Sequence, residues 1–96
     1  MSSPSLSLKD LEELYSLRIL VTLLAKKKMY RSALYQALTR SIRPVISRVN
    51  HLVAVGLIKE TAPGIPPFYK ELELTPKGVE VAKLVVEIEK VLRRQD

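Results

Sequence analysis

Apolar residues recur along this chain with two periods, and the changes between them separate a helical first half, a short extended stretch and a final helix. Between residues 8 and about 27, Leu14, Leu17, Val21 and Leu24 form a stripe at helical spacing, widened by Leu20 and Leu23. No glycine or proline interrupts it, so one long helix is predicted, with Ser7 as its cap and Asp10 as a capping-box acid. A shorter helix is predicted over residues 31–38, where Ala33, Leu34, Ala37 and Leu38 supply a narrow apolar face. After a polar turn at 39–43, Pro44 suits the first turn of a third helix, where its missing N–H costs nothing. Val45, Val49, Leu52 and Val53 mark the buried side of that helix, and Gly56 closes it as a left-handed C-terminal residue.

Beyond the glycine the period changes. Residues 57–61 read as a short strand. Residues 62–67 hold three prolines and a glycine, which excludes regular structure and predicts a loop. Residues 68–74 alternate, with Phe68, Lys70, Leu72 and Leu74 on one face and Tyr69, Glu71 and Glu73 on the other, completing a β-hairpin. Thr75 and Pro76 open the last helix as cap and first helical residue. It is expected to run to about residue 94, with Val81, Val85, Ile88 and Leu92 in one stripe and Leu84 and Val91 along its edge. The predicted fold is mostly α with a small β-hairpin (α+β), in the order α-α-α-β-β-α. Three segments are expected: a disordered lead over 1–7, a folded domain over 8–75, and a C-terminal helix over 76–96.

Charge sharpens this picture more than composition does. The 96 residues carry a formal net charge of +6, and no acidic residue occurs between Glu13 and Glu60. That interval holds Arg18, Lys26, Lys27, Lys28, Arg31, Arg40, Arg43, Arg48 and Lys59. Such an acid-free centre is the footprint expected of a phosphate-binding surface. Cysteine is absent and His51 is the single histidine, so thiolate and clustered-ligand metal sites are excluded, and no cofactor is expected. With no Gly-rich phosphate loop and no clustered carboxylates, the chain has nothing to perform acid–base or nucleophilic chemistry and reads as a non-enzyme. The Ser-rich start lacks the layout of a signal peptide, and the apolar run near residues 19–25 is too short to span a bilayer. No membrane association is expected, and a cytoplasmic location follows.

Two stretches carry a family resemblance. Residues 41–58, Ser-Ile-Arg-Pro-Val-Ile-Ser-Arg-Val-Asn-His-Leu-Val-Ala-Val-Gly-Leu-Ile, resemble a recognition helix and the strand that follows it. Residues 74–78, Leu-Thr-Pro-Lys-Gly, resemble the Leu-Thr-x-x-Gly step that opens the helix after the wing. Both are features of winged helix-turn-helix regulators of the MarR, ArsR and PadR type, and small archaeal regulators of this build are the nearest in pattern. The resemblance covers about residues 10–94. The wing departs from the pattern: its loop has Pro63, Pro66 and Pro67 but no Arg or Lys at the tip, so a basic minor-groove finger is not expected.

The resemblance implies a sequence-specific duplex-DNA-binding protein, a transcriptional regulator acting as a homodimer and associated with the nucleoid. With Val45, Val49 and Leu52 inward, Arg43, Pro44, Ser47, Arg48 and His51 are the expected base-reading residues, and Asn50 lies beside this face. Arg31, Arg40, Ser41, Lys59 and Lys70 are the expected phosphate contacts. Val81, Val85, Ile88 and Leu92 are expected to form the dimer contact, alone or with the first helix. Two alternatives stay open on the sequence: a protein-docking winged-helix module of transcription or replication machinery, and a non-specific chromatin-type DNA-binding protein. The target sequence, the direction of regulation and any small-molecule effector are not encoded in readable form.

Overall fold

The computed structural model describes residues 15–38, 42–61 and 70–94. The expected lead, the start of the first helix, Arg40, Ser41 and the proline-rich loop fall outside the described residues. Within them the order is α1 (Ser16–Lys26), β1 (Lys28–Tyr30), α2 (Arg31–Leu38), α3 (Ile42–Ala54), β2 (Ile58–Thr61), β3 (Glu71–Leu74) and α4 (Pro76–Arg93).

Two expectations need correction. The predicted single helix over 8–27 does not run through Tyr15, which adopts a left-handed conformation with φ 71°. A continuous α-helix needs right-handed φ at every residue, so α1 starts at Ser16 whatever the apolar periodicity before it. The second correction is β1, which the sequence reading lacks. β1 pairs antiparallel with β3, setting Lys28 opposite Glu73, Met29 opposite Leu72 and Tyr30 opposite Glu71. The expected hairpin is present, with Ile58 opposite Leu74 and Thr61 opposite Glu71. It belongs to a three-stranded sheet of order β1-β3-β2, with β3 in the centre.

Every element except β1, whose half-buried Met29 packs against the others, contributes a buried residue to one core. Ile19, Leu20 and Leu23 of α1, Leu34 of α2, and Val45, Val49 and Leu52 of α3 are buried with Leu57, Ile58, Leu72, Leu74 and Ala82. Leu72 and Leu74 alternate with Glu71 and Glu73, so β3 turns one apolar face to the helices, as a period of two requires. The N-terminal half of α4 joins the core through Gly78 and Ala82, and the helix packs along α1.

One junction fixes how α3, the sheet and α4 meet. Gly56 ends α3 with φ 86°, a conformation that glycine adopts without steric penalty. Thr75 caps α4: its Oγ1 accepts from the Gly78 N–H at 3.0 Å and donates to the Gly56 carbonyl at 2.7 Å. The Thr75 N–H donates to the Leu57 carbonyl at 3.1 Å. Gly78 then sits so close to that carbonyl that a Cβ there would lie 2.1 Å from the Leu57 oxygen. The Leu-Thr-x-x-Gly step is thus a physical requirement: threonine ties two helix ends together, and glycine admits a backbone approach that no side chain allows.

Candidate nucleic-acid interface

The surface of α3 follows from its helical geometry. At 3.6 residues per turn, burying Val45, Val49 and Leu52 leaves Arg43, Ser47, Asn50 and Ala54 diametrically opposite, and these four are the exposed stripe. Pro44, Arg48 and His51 are half-buried along one flank, and Ile46 and Val53 along the other. Arg43 and Ser47 of the expected base-reading set therefore stand at the centre of the exposed face. Pro44, Arg48 and His51 stand at its edge, and Asn50 projects from the face itself. Spacing alone identified the flank, because 44, 47, 48 and 51 are helical neighbours as surely as 43, 47, 50 and 54 are.

Arg31, at the first position of α2, is the hub of a polar cluster. Its Nε donates to Glu60 Oε2 on β2 and pairs with that carboxylate. Its Nη1 donates to the Tyr35 hydroxyl at 2.8 Å, one helical turn along α2. Its Nη2 donates to Asn50 Oδ1 on α3 at 2.9 Å. The Arg31 backbone N–H donates to the Lys70 carbonyl just before β3, at 3.1 Å. One residue thereby ties α2, α3 and both hairpin strands together.

The electrostatics agree with that geometry. Burial alone would push the Arg31 pKa down, but the hydrogen bonds to Glu60 and Tyr35 outweigh it and hold the pKa above its ordinary value. The hydrogen bond from Arg31 pulls the Glu60 carboxyl below its ordinary range against a smaller effect of burial, with help from the charges of Arg31 and Lys70. Arg31 is accordingly compensated inside the protein, unlike the bare cation its acid-free surroundings in sequence implied. Lys59 and Lys28 stand on either side of Glu73 across the sheet, each its direct cross-strand neighbour. The positive field is thus moderated at the sheet, while Arg43 projects from α3 with no acidic residue on that helix.

Arg48 is in a different position. Its Nη1 is withdrawn from solvent and lacks a hydrogen-bond partner, one of two such side-chain atoms among the described residues, the other being Ser16 Oγ. Leaving a charged guanidinium N–H unpaired out of water is destabilising, more so than for a neutral donor. Of the expected phosphate contacts, Lys59 and Lys70 are exposed at the sheet.

Along α4 the expected dimer residues divide. Val81 is half-buried against the protein's own core and Val85 is half-buried, whereas Ile88 is 59% and Leu92 78% exposed. Leu84 and Val91 are more than half exposed as well. Between α1, the end of α2 and the outer half of α4 lies an apolar groove of about 430 Å³, lined by Leu17, Val21, Leu38, Val85, Ile88 and Leu92 among others. Among the described residues, no helix is long and apolar enough to cross a membrane.

No protein-family model matches the chain, and no curated protein matches it in sequence. Solved structures do match in three dimensions. A transcriptional regulator homologue from Pyrococcus horikoshii OT3 superposes with a TM-score of 0.75 at 24% identity, over 88% of this chain and 84% of that one. The adhesin competence repressor AdcR from Streptococcus pyogenes gives 0.69 at 16% identity, over 88% of this chain and 63% of its own length. Reduced AbfR, solved bound to DNA, gives 0.70 at 20% identity, over 92% of this chain and 66% of that one. The Pyrococcus protein is a transcriptional regulator homologue and AdcR a repressor, and α1 to α4 with the three-stranded sheet constitute the winged helix-turn-helix fold that this chain shares with them.

Proposed function

We propose that this protein is a transcriptional regulator that binds specific duplex DNA as a homodimer, with α3 in the major groove. The observation that carries the reading is the exposed stripe of α3: Arg43, Ser47 and Asn50 project together from a helix with no acidic residue, opposite a fully buried Val45–Val49–Leu52 seam. A B-DNA major groove is wide enough to admit such a helix, and an Arg–Ser–Asn face offers the donors that base edges accept. The DNA-bound state of AbfR, which shares the fold, supports the same partner class. In this reading Arg43 and Ser47 contact bases, while Pro44, Arg48 and His51 line the flank of the contact. Lys59 and Lys70 reach phosphate from the sheet, and Arg40, Ser41 and the outer N–H groups of Arg31 do so around the helix-turn-helix.

The homodimer reading rests on the outer half of α4. Its Leu84, Ile88, Val91 and Leu92 are exposed in a row beside the apolar groove, which is costly for an isolated chain and ordinary for a helix that pairs with its symmetry copy. Two recognition helices would then address half-sites related by two-fold symmetry.

Selection from a random duplex pool, with a salt titration of the selected site, tests the reading. An enriched palindrome bound with a steep negative salt dependence is the expected result. Tight binding without enrichment would point to a non-specific DNA-coating protein, and no binding at low salt to a protein-docking module.

A further inference from the structure

Asn50 and Arg31 together go beyond that reading. An arginine side chain has only donors, so the Asn50 atom that meets Arg31 Nη2 at 2.9 Å has to be the amide oxygen. The contact orients the amide: Oδ1 turns toward the guanidinium, and the NH2 group, on the other side of Cγ, turns away from it. Asn50 is exposed on the α3 face that carries Ser47 one turn earlier, so its outward-facing group is a donor. The Arg31 guanidinium in turn is held by Glu60 of β2 and by Tyr35 of its own helix, and cannot leave Asn50 without disturbing those ties. A free asparagine reads adenine by accepting from N6 while donating to N7. Here a cation sits on the accepting oxygen, which both occupies a lone pair and repels the partial positive charge of an incoming amine.

We propose that Arg31 is a positioning residue for sequence recognition, which fixes Asn50 as a donor-only reader that selects guanine, whose N7 and O6 both accept, over adenine, whose single acceptor N7 stands beside the N6 amine. This rests on the α3-in-groove reading. Arg31 acts through Asn50 and sets what the helix can recognise at one base pair. Glu60 keeps the device assembled, which links the hairpin to the recognition helix by a side-chain path distinct from the shared core.

The test is duplex selection on the full chain and three variants, scored at each base position. The wild type is expected to favour guanine over adenine about tenfold at one position, a preference that Asn50→Ala abolishes there and nowhere else. Arg31→Ala releases the amide, and adenine should rise to parity or better at that position. Asn50→Asp supplies the check should Arg31→Ala fold poorly. It is isosteric, solvent-exposed and retains the Arg31 contact, but it replaces the outward donor with an acceptor. Preference at the same position should move to cytosine, whose N4 amine donates. Unchanged base preference in Asn50→Asp, or adenine enrichment in the wild type that Asn50→Ala removes, would overturn the proposal while leaving DNA binding in place. Failure of the wild type to bind any duplex would overturn the groove reading itself, and this proposal with it.

Discussion

Two glycines show how differently the same residue type can be required. Gly56 has φ 86° but open space around it, so a Cβ there meets only conformational strain. Gly78 has the opposite problem: a Cβ would meet the Leu57 carbonyl at 2.1 Å, and that oxygen is fixed by its hydrogen bond from the Thr75 N–H. Gly56→Ala is expected to cost about 1 kcal/mol, the ordinary penalty for alanine at positive φ. Gly78→Ala should cost about 2–4 kcal/mol, because α4 has to move off the sheet. Urea titration of both variants checks this; equal midpoints would show that the α4 approach is not tight. Glu60 sets a second residue-scale expectation. Its folded pKa is lowered from the ordinary 4.5, so ionised Glu60 contributes stability that is fully present above about that pH. The contribution falls as pH drops through the lowered folded value. Glu60→Gln should flatten this acid limb, measured as unfolding free energy from about pH 5 downward, and an unchanged slope would assign the acid sensitivity to other carboxylates.

At the scale of elements, what was legible in the sequence is what local chemistry decides. Pro44 within the first turn of α3, Gly56 behind it, and the Thr75–Pro76 opening of α4 each act within a few residues, and each helix end stands where these residues put it. β1 was not legible, because three residues carry too little alternation to register and its partner strand lies far along the chain. The start of α1 was hidden for a different reason. Its periodicity continues unbroken across Tyr15, a residue type that gives no hint of a left-handed backbone. At the site, the buried seam of α3 was readable from spacing, but the exact exposed face was not. Asn50 was set beside the face and Arg31 read as a bare cation, because the contact between them is tertiary. The exposed stripe makes its own prediction. Arg43→Ala should weaken specific duplex binding by about 1–3 kcal/mol and relax preference at one base pair. Replacing Lys59 with alanine should weaken all duplexes alike and reduce the salt slope by about one. Anisotropy titrations on selected and scrambled duplexes separate the two outcomes, and a uniform loss for Arg43→Ala would move that residue from bases to phosphate.

For the molecule as a whole, α4 is the element whose two halves do different things. Its first half is bound into the core by Gly78 and Ala82, so substitutions at Ile88 and Leu92 remove no buried core residue. The second half carries Ile88 and Leu92 outward, with Glu87–Lys90 and Glu89–Arg93 pairs on the surrounding surface too exposed to contribute much. Burying an Ile or Leu side chain is worth about 1.5–3 kcal/mol, and a two-fold interface counts each residue twice. Only the still exposed part of each side chain, 59% of Ile88 and 78% of Leu92, can be gained, so the gross gain from these two positions is about 4–8 kcal/mol, comparable with the cost of associating two chains. The double substitution Ile88→Lys and Leu92→Lys should consequently abolish the dimer and leave a folded monomer with an unchanged thermal transition at low protein concentration. Sedimentation velocity of wild type and variant reads the mass directly. The same variant should bind a palindromic site far more weakly than the wild type yet bind an isolated half-site equally well, because only the tethering of two recognition helices is lost. A wild type that sediments as a monomer at micromolar concentration would remove the dimer, and α4 would then be a helix whose exposed edge serves some other contact.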